Sequence, residues 1–168
     1  MPTYNSFNFE FRGNPQPGQQ IPQPSPKSLA VDGPIIQVQV EIPPVLAESL
    51  QKASTPIPNP VEGFAVIDTG ASITAIDDTI FTQLGINPNG IAMVGTAGGS
   101  RQQSTYPVRL TFPGTGIPGV NHAKALGCDL TGQLVLRNKR LIALIGRDIP
   151  QRFILIYNGS AGMFSLST

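Results

Sequence analysis

Charge is scarce in this chain. Of 168 residues only 12% are Asp, Glu, Lys or Arg, and 11 basic against 10 acidic groups leave a formal net charge of +1. That is about half the roughly 25% charged content of an ordinary soluble domain. It removes the main electrostatic reason to bind nucleic acid or an anionic membrane surface, so no nucleic-acid or membrane partner is expected. Tryptophan is absent, and cysteine and histidine occur once each, as Cys128 and His122. A single cysteine excludes an intrachain disulfide, and together with one histidine it cannot supply a zinc centre of the usual four-ligand kind. Long apolar runs are missing too: residues 141–145 and 153–157 fall far short of the roughly 20 needed to span a bilayer. The N-terminus carries neither a basic patch nor an apolar stretch, so the expectation is a cytoplasmic chain without a signal peptide.

What is present points to one β-rich domain. The 40% apolar content permits a sizeable core, and 18 glycines with 17 prolines make the chain rich in turns. Up to Pro34 the sequence holds seven prolines, Gln16, Gln19, Gln20 and Gln23, and no core-forming periodicity. This composition predicts a Pro/Gln-rich flexible tail or linker over 1–34 and a folded domain over 35–168. Ile36, Val38, Val40 and Ile42 alternate with polar residues as a half-buried strand stopped by Pro43 and Pro44. Residues 46–52 read as a helical turn or more. Phe64, Ala65, Val66 and Ile67 form a short apolar strand, and Asp77 or Asp78 caps a helix through Leu84 that ends on Gly85. Val108, Leu110 and Phe112 alternate, residues 134–136 and 141–145 read as core strands, and Asn158-Gly159 is a hairpin signal between 153–157 and 163–166. The sum is an all-β domain with one or two short helices.

Nucleophilic chemistry based on histidine has little to work with. His122 sits in a turn-like stretch beside no nucleophile motif, and its expected place is an exposed loop. Hydrolytic chemistry would have to come from the ten carboxylates. Most have ordinary explanations as tail, strand-face, loop or helix-cap residues; Asp148 is read as a cap and Asp129 as a loop residue. Asp68 differs. It follows four apolar residues and precedes Thr-Gly-Ala-Ser-Ile, so its carboxylate stands at the end of a buried strand, where desolvation is costly without a partner or a purpose.

The segment Phe64-Ala-Val-Ile-Asp68-Thr69-Gly70-Ala71-Ser72-Ile73-Thr74 resembles the active-site loop of aspartic proteases. About 75 positions further on, Leu144-Ile145-Gly146-Arg147-Asp148 resembles the apolar-apolar-Gly element of the retroviral-type enzymes. Between them the Gly-rich stretch Met93-Val94-Gly95-Thr96-Ala97-Gly98-Gly99-Ser100 lies where that family carries its flap. No second Asp-Thr/Ser-Gly exists; Asp129-Leu130-Thr131-Gly132 has one residue inserted. The resemblance therefore implies the single-domain, retropepsin-like form: a closed, barrel-like half-domain in a two-fold symmetric homodimer, with one Asp68 from each chain forming the catalytic dyad.

The same resemblance implies an endopeptidase acting on extended peptide or protein substrates, without metal or cofactor. Thr69 would bond across the dimer, Gly70 would permit close approach, Val94 to Gly98 would cover the substrate, and Leu144, Ile145, Gly146 and Arg147 would support the loop. Ala71 lacks a hydroxyl found in pepsins, which implies a less acidic dyad and an optimum of roughly pH 4 to 6. Ser72 stands where retroviral enzymes carry an Asp paired with the arginine matching Arg147, so that salt bridge cannot form. A catalytically weak peptide-binding or dimerisation module on the same fold is the alternative reading.

Overall fold

The computed structural model describes residues 3–12, 21–96, 99–135 and 138–167. Contrary to the expected tail, the described residues before Ile35 form strands and a helix. Strand β1 (Thr3–Phe7) pairs antiparallel with the C-terminal strand, Thr3 opposite Ser167 and Phe7 opposite Met163. β2 (Phe9–Arg12) and β3 (Ile21–Pro24) form a two-stranded ribbon. Helix α1 (Pro26–Asp32) then begins where Ser25 accepts a hydrogen bond from the Ser28 amide and Pro26 supplies the fixed φ of a first helical residue. Its Leu29 is fully buried in the main core. Asn8, also buried, donates from its amide side chain to the carbonyl of Gly33 at 3.1 Å. Helical and strand pairing, together with a buried leucine, outweigh the disorder that composition suggested.

The main sheet starts with β4 (Ile35–Glu41), whose Ile36, Val38 and Val40 face inward as the alternation predicts. Pro43 and Pro44 end it, and Pro44 opens helix α2 (Pro44–Lys52). β5 (Val61–Ile67) returns antiparallel to β4. β6 (Ala75–Asp77) leads into α3 (Asp78–Leu84), where the Asp77 carboxylate accepts from the amide and hydroxyl of Thr79 and Gly85 takes the left-handed conformation at the far end. Ile80, Phe81 and Leu84 form the buried face of α3, and Phe81 stacks on Tyr106 with ring centroids 3.8 Å apart. β7 (Gly90–Thr96) and the long β8 (Gly99–Thr111) make a hairpin. β9 (Val120–Cys128), β10 (Leu134–Val135) and β11 (Lys139–Ile145) follow. A 3-10 turn (Pro150–Arg152) and the β12 (Ile154–Asn158) and β13 (Met163–Ser167) hairpin complete the fold.

β11 closes the sheet because it pairs on both sides, parallel to β5 and antiparallel to β6. The circuit β11-β5-β4-β8-β9-β6 is a six-stranded closed barrel filled by apolar side chains such as Val38, Ile76, Leu110 and Ile142. A register shift between Leu141 and Ala143 turns Ile142 onto Gly63, where a Cβ would lie only 2.6 Å from its Cγ2. The fold is thus mainly β as expected, with three helices among the described residues instead of one or two; α1 lies in the segment read as a tail. Leu134 is exposed rather than part of a core strand, and Leu136 lies outside the described residues. The final hairpin turns over four residues, 159–162, where the Asn158 side chain accepts from the Ala161 amide and the Ser160 hydroxyl. None of the described helices is long and apolar enough to cross a membrane.

Candidate active site

β5 delivers Asp68 to the rim of the barrel. Its backbone amide donates to the carbonyl of Ile145 at 2.9 Å, which continues the parallel β5–β11 pairing by one residue. The chain then turns: Asp68 Oδ1 accepts from the amides of Gly70 at 2.8 Å and Ala71 at 3.3 Å. A Cβ on Gly70 would stand 3.0 Å from that same oxygen, so glycine gives the loop its close approach to the carboxylate. Asp68 is half-buried, and its Oδ2 receives no hydrogen bond from a described residue. Thr69, Gly70 and Ser72 are exposed and Ala71 is intermediate. One carboxylate oxygen is therefore oriented by the backbone while the other remains open to water or to another group.

The end of β11 holds this loop at several points. The Arg147 amide donates to the Ala71 carbonyl at 3.0 Å, and its guanidinium donates to the Thr69 carbonyl at 2.6 Å. The missing acidic partner at Ser72 is thus replaced by a main-chain oxygen. Gly146 is required by contact: a Cβ there would lie 2.5 Å from the carbonyl carbon and 2.6 Å from the oxygen of Ile73. Ile145 is buried in the core and Leu144 reaches the cleft described next.

A cleft of about 400 Å³ borders the loop. Gly70, Ala71, Ser72 and Ile73 form one side, Met93, Val94 and Gly95 of the β7–β8 hairpin another, and Leu126, Cys128, Leu130 and Leu144 the apolar base. Two expected flap residues, Val94 and Gly95, therefore meet the Asp68 loop across one cavity. Thr96 ends β7 opposite Gly99; Ala97 and Gly98 lie outside the described residues.

Three residues escaped the sequence reading. Thr74 is fully buried; its amide donates to Asp148 Oδ2 at 2.8 Å, its hydroxyl donates to Asp148 Oδ1 at 2.7 Å, and its Oγ1 accepts from the Gly146 amide at 3.1 Å. Asp148 is therefore no helix cap but a brace between β11 and the loop. His122 is no loop residue: it lies in β9, its side chain only 15% exposed, with Nε2 3.1 Å from Asp148 Oδ2. Burial alone would raise the Asp148 carboxyl, but the neighbouring His122 and the hydrogen bonds from the Thr74 side chain and backbone outweigh it and hold the group below its ordinary value. The only sequence signals for this cluster were a threonine closing the loop motif and a carboxylate next to Gly-Arg.

Cys128 is a poor nucleophile. Burial first, then the nearby Asp78, Asp77 and Asp129 carboxylates, push its thiol up to about 12. Asp129 accepts from the Thr131 amide at 2.9 Å as an ordinary turn residue. Among the described residues no group of three or more His, Cys, Asp or Glu side chains is placed to hold a metal ion. No protein-family model and no curated protein matches the sequence.

Proposed function

We propose that this chain is one half of an aspartic endopeptidase, working as a two-fold homodimer in which each copy supplies Asp68. The observation that carries this reading is the Asp68 loop itself. A carboxylate at the end of a barrel strand has one oxygen fixed by the Gly70 and Ala71 amides and the other open, and its loop borders a largely apolar cleft lined on another side by a β-hairpin. A single chain contributes one such group, and peptide hydrolysis by carboxylates requires two in different protonation states. Two Asp68 side chains brought within hydrogen-bond range share one proton and titrate as a unit. The ionised member takes a proton from a water that attacks the scissile carbonyl, and the protonated member donates its proton to the carbonyl oxygen. Collapse of the tetrahedral intermediate then releases the amine as it gains a proton.

Further support comes from the surface. Ile154 and Ile156 of β12 are each 57% exposed, and an exposed apolar strand face is a feature expected of an association surface. The β12–β13 hairpin packs close to the catalytic strand, since Phe153 and Leu166 line the same small void as Ile67 and Ile145. The apolar cleft favours substrates with aliphatic or aromatic side chains beside the cleaved bond. The deciding experiment is cleavage of an unstructured, apolar-rich protein between pH 3 and 7, with Asp68→Asn as control. Product formation by the wild type alone supports the assignment; equal cleavage by both, or none by either, rejects it.

A further inference from the structure

We propose that His122 is a positioning residue for the Asp68 loop, acting through Asp148 and Thr74. The proposal rests on the peptide-hydrolysis reading for its kinetic consequence, while its structural consequence stands apart from it.

The geometry is a chain of contacts with one branch point. Asp148 is met from two directions. Thr74 supplies its amide and hydroxyl at 2.8 and 2.7 Å, and His122 approaches from β9 with Nε2 at 3.1 Å. Thr74 in turn accepts the Gly146 amide. The loop that starts at Asp68, bonded to Ile145, thus ends at Thr74, bonded to Gly146 and Asp148. Both ends of the loop are tied to consecutive residues of one strand end, and the orientation of Asp148 decides where the second tie sits. Without a group on its outer side, Asp148 could rotate away from Thr74 toward solvent. His122 blocks that rotation: its buried Nε2, which has no hydrogen-bond partner of its own among the described residues, stands 3.1 Å from Asp148 Oδ2, within ion-pairing distance.

His122 has no competing acidic partner. On the surrounding elements, Lys124 of β9 and Glu48 of α2 are exposed. Arg109 of β8 is engaged with Glu41 of β4 at 3.6 Å and with Asn121 at 3.1 Å. Among the described residues, Asp148 is the acidic group within ion-pairing distance of the imidazole. The other side of His122 lines a groove of about 690 Å³ together with Pro43, Leu46, Ile86 and Pro107, so the imidazole stands between open solvent space and the brace of the loop.

The test compares His122→Leu with His122→Gln in the full chain. Glutamine places an amide N–H near the position of Nε2, whereas leucine fills space without a donor. For His122→Leu the expected result is a kcat about ten- to a hundredfold lower with KM unchanged, as for a reacting group misplaced by a fraction of an ångström. Asp148, having lost a neighbour that favours its ionised form, should protonate at a higher pH, so the acidic limb of the rate profile should move upward. His122→Gln should recover most of the rate and the original limb. If His122→Leu does not fold, His122→Asn, whose shorter amide cannot reach, takes its place in the comparison. Amide exchange provides the readout independent of activity: Gly146 and Ala71 should exchange about tenfold faster in the donorless variant while β4 is unaffected. Unchanged kcat, equal damage from glutamine and leucine, or exchange accelerated uniformly across the barrel would each overturn the proposal. If the wild type cleaves nothing, the functional assignment falls, and loop-selective exchange alone then supports or overturns the positioning role.

Discussion

Replacing Gly146 by alanine tests how tightly the strand end clamps the candidate catalytic loop. The added Cβ would stand 2.5, 2.6 and 2.9 Å from the carbonyl carbon, oxygen and nitrogen of Ile73. All three are backbone atoms, so no side-chain rotation relieves the contact and either β11 or the loop must shift. Ile73 adjoins Thr74, whose two bonds to Asp148 and one from Gly146 would be disturbed by that shift. Overpacking of this kind costs about 1–3 kcal/mol, and more where backbone is trapped. At roughly 2–4 °C per kcal/mol for a chain of this size, Tm should fall by about 2–12 °C. The assay is urea and thermal unfolding followed by circular dichroism, with cleavage measured well below the new Tm. Gly95→Ala is the control for stability alone, since its Cβ would meet nothing within 4 Å while Gly95 itself lines the cleft. A Gly146→Ala protein as stable as the wild type, with turnover intact, would refute the reasoning that this contact sets the loop.

Asp68→Asn should lower turnover by on the order of 10²- to 10⁴-fold, the usual contribution of general acid-base catalysis, without changing the unfolding midpoint appreciably; a normal rate in purified variant removes Asp68 from the mechanism. Because Asp148 is held below its ordinary value, the stability it contributes is complete at neutral pH and disappears as pH falls through that lowered value. Asp148→Asn should therefore lose stability at pH 7 and flatten the acid side of the stability curve, which urea titrations from pH 7 to 2 would show. Asp77→Ala removes the acceptor for the Thr79 amide and hydroxyl at the start of α3, and should cost about 0.5–2 kcal/mol in urea unfolding. Equal amounts of wild-type and Asp68→Asn chains, after verified subunit exchange, should give about half the activity of the wild-type input, because a quarter of randomly paired dimers keep both carboxylates; undiminished activity would show that one Asp68 suffices.

The legible parts of the molecule were those governed by local rules. The alternation of Ile36, Val38 and Val40 fixes which face of β4 is buried, and the Asp77 and Gly85 bracket of α3 follows from capping chemistry alone. Asp68 stood out because a carboxylate after four apolar residues is costly unless something answers it. In the described part of the N-terminal segment composition misleads for a physical reason: a short strand can be ordered by a partner at the opposite end of the sequence. β1 is stabilised by β13, more than 150 residues away in the chain. Ser25-Pro26 was a visible helix start within the same segment, and the proline count obscured it.

The brace behind the loop could not be read in the same way, because its members are brought together only by closure of the barrel. His122 belongs to β9, Thr74 to the loop between β5 and β6, and Asp148 to the turn after β11. They meet because β6 runs between β9 and β11. Closure therefore has a chemical consequence at this rim. The strand that completes the barrel by pairing with β5 and β6 also carries, in its last residue and the three that follow, the Ile145 carbonyl, the Gly146 contact, the Arg147 donors and the Asp148 brace. Any displacement of β11 against β5 would move all four against Asp68 together. The position of the carboxylate is thus set by the register of the barrel rather than by the loop sequence alone, and substitutions that loosen the β5–β11 pairing, such as enlarging Gly63 against Ile142, should reduce turnover even though they lie in the core.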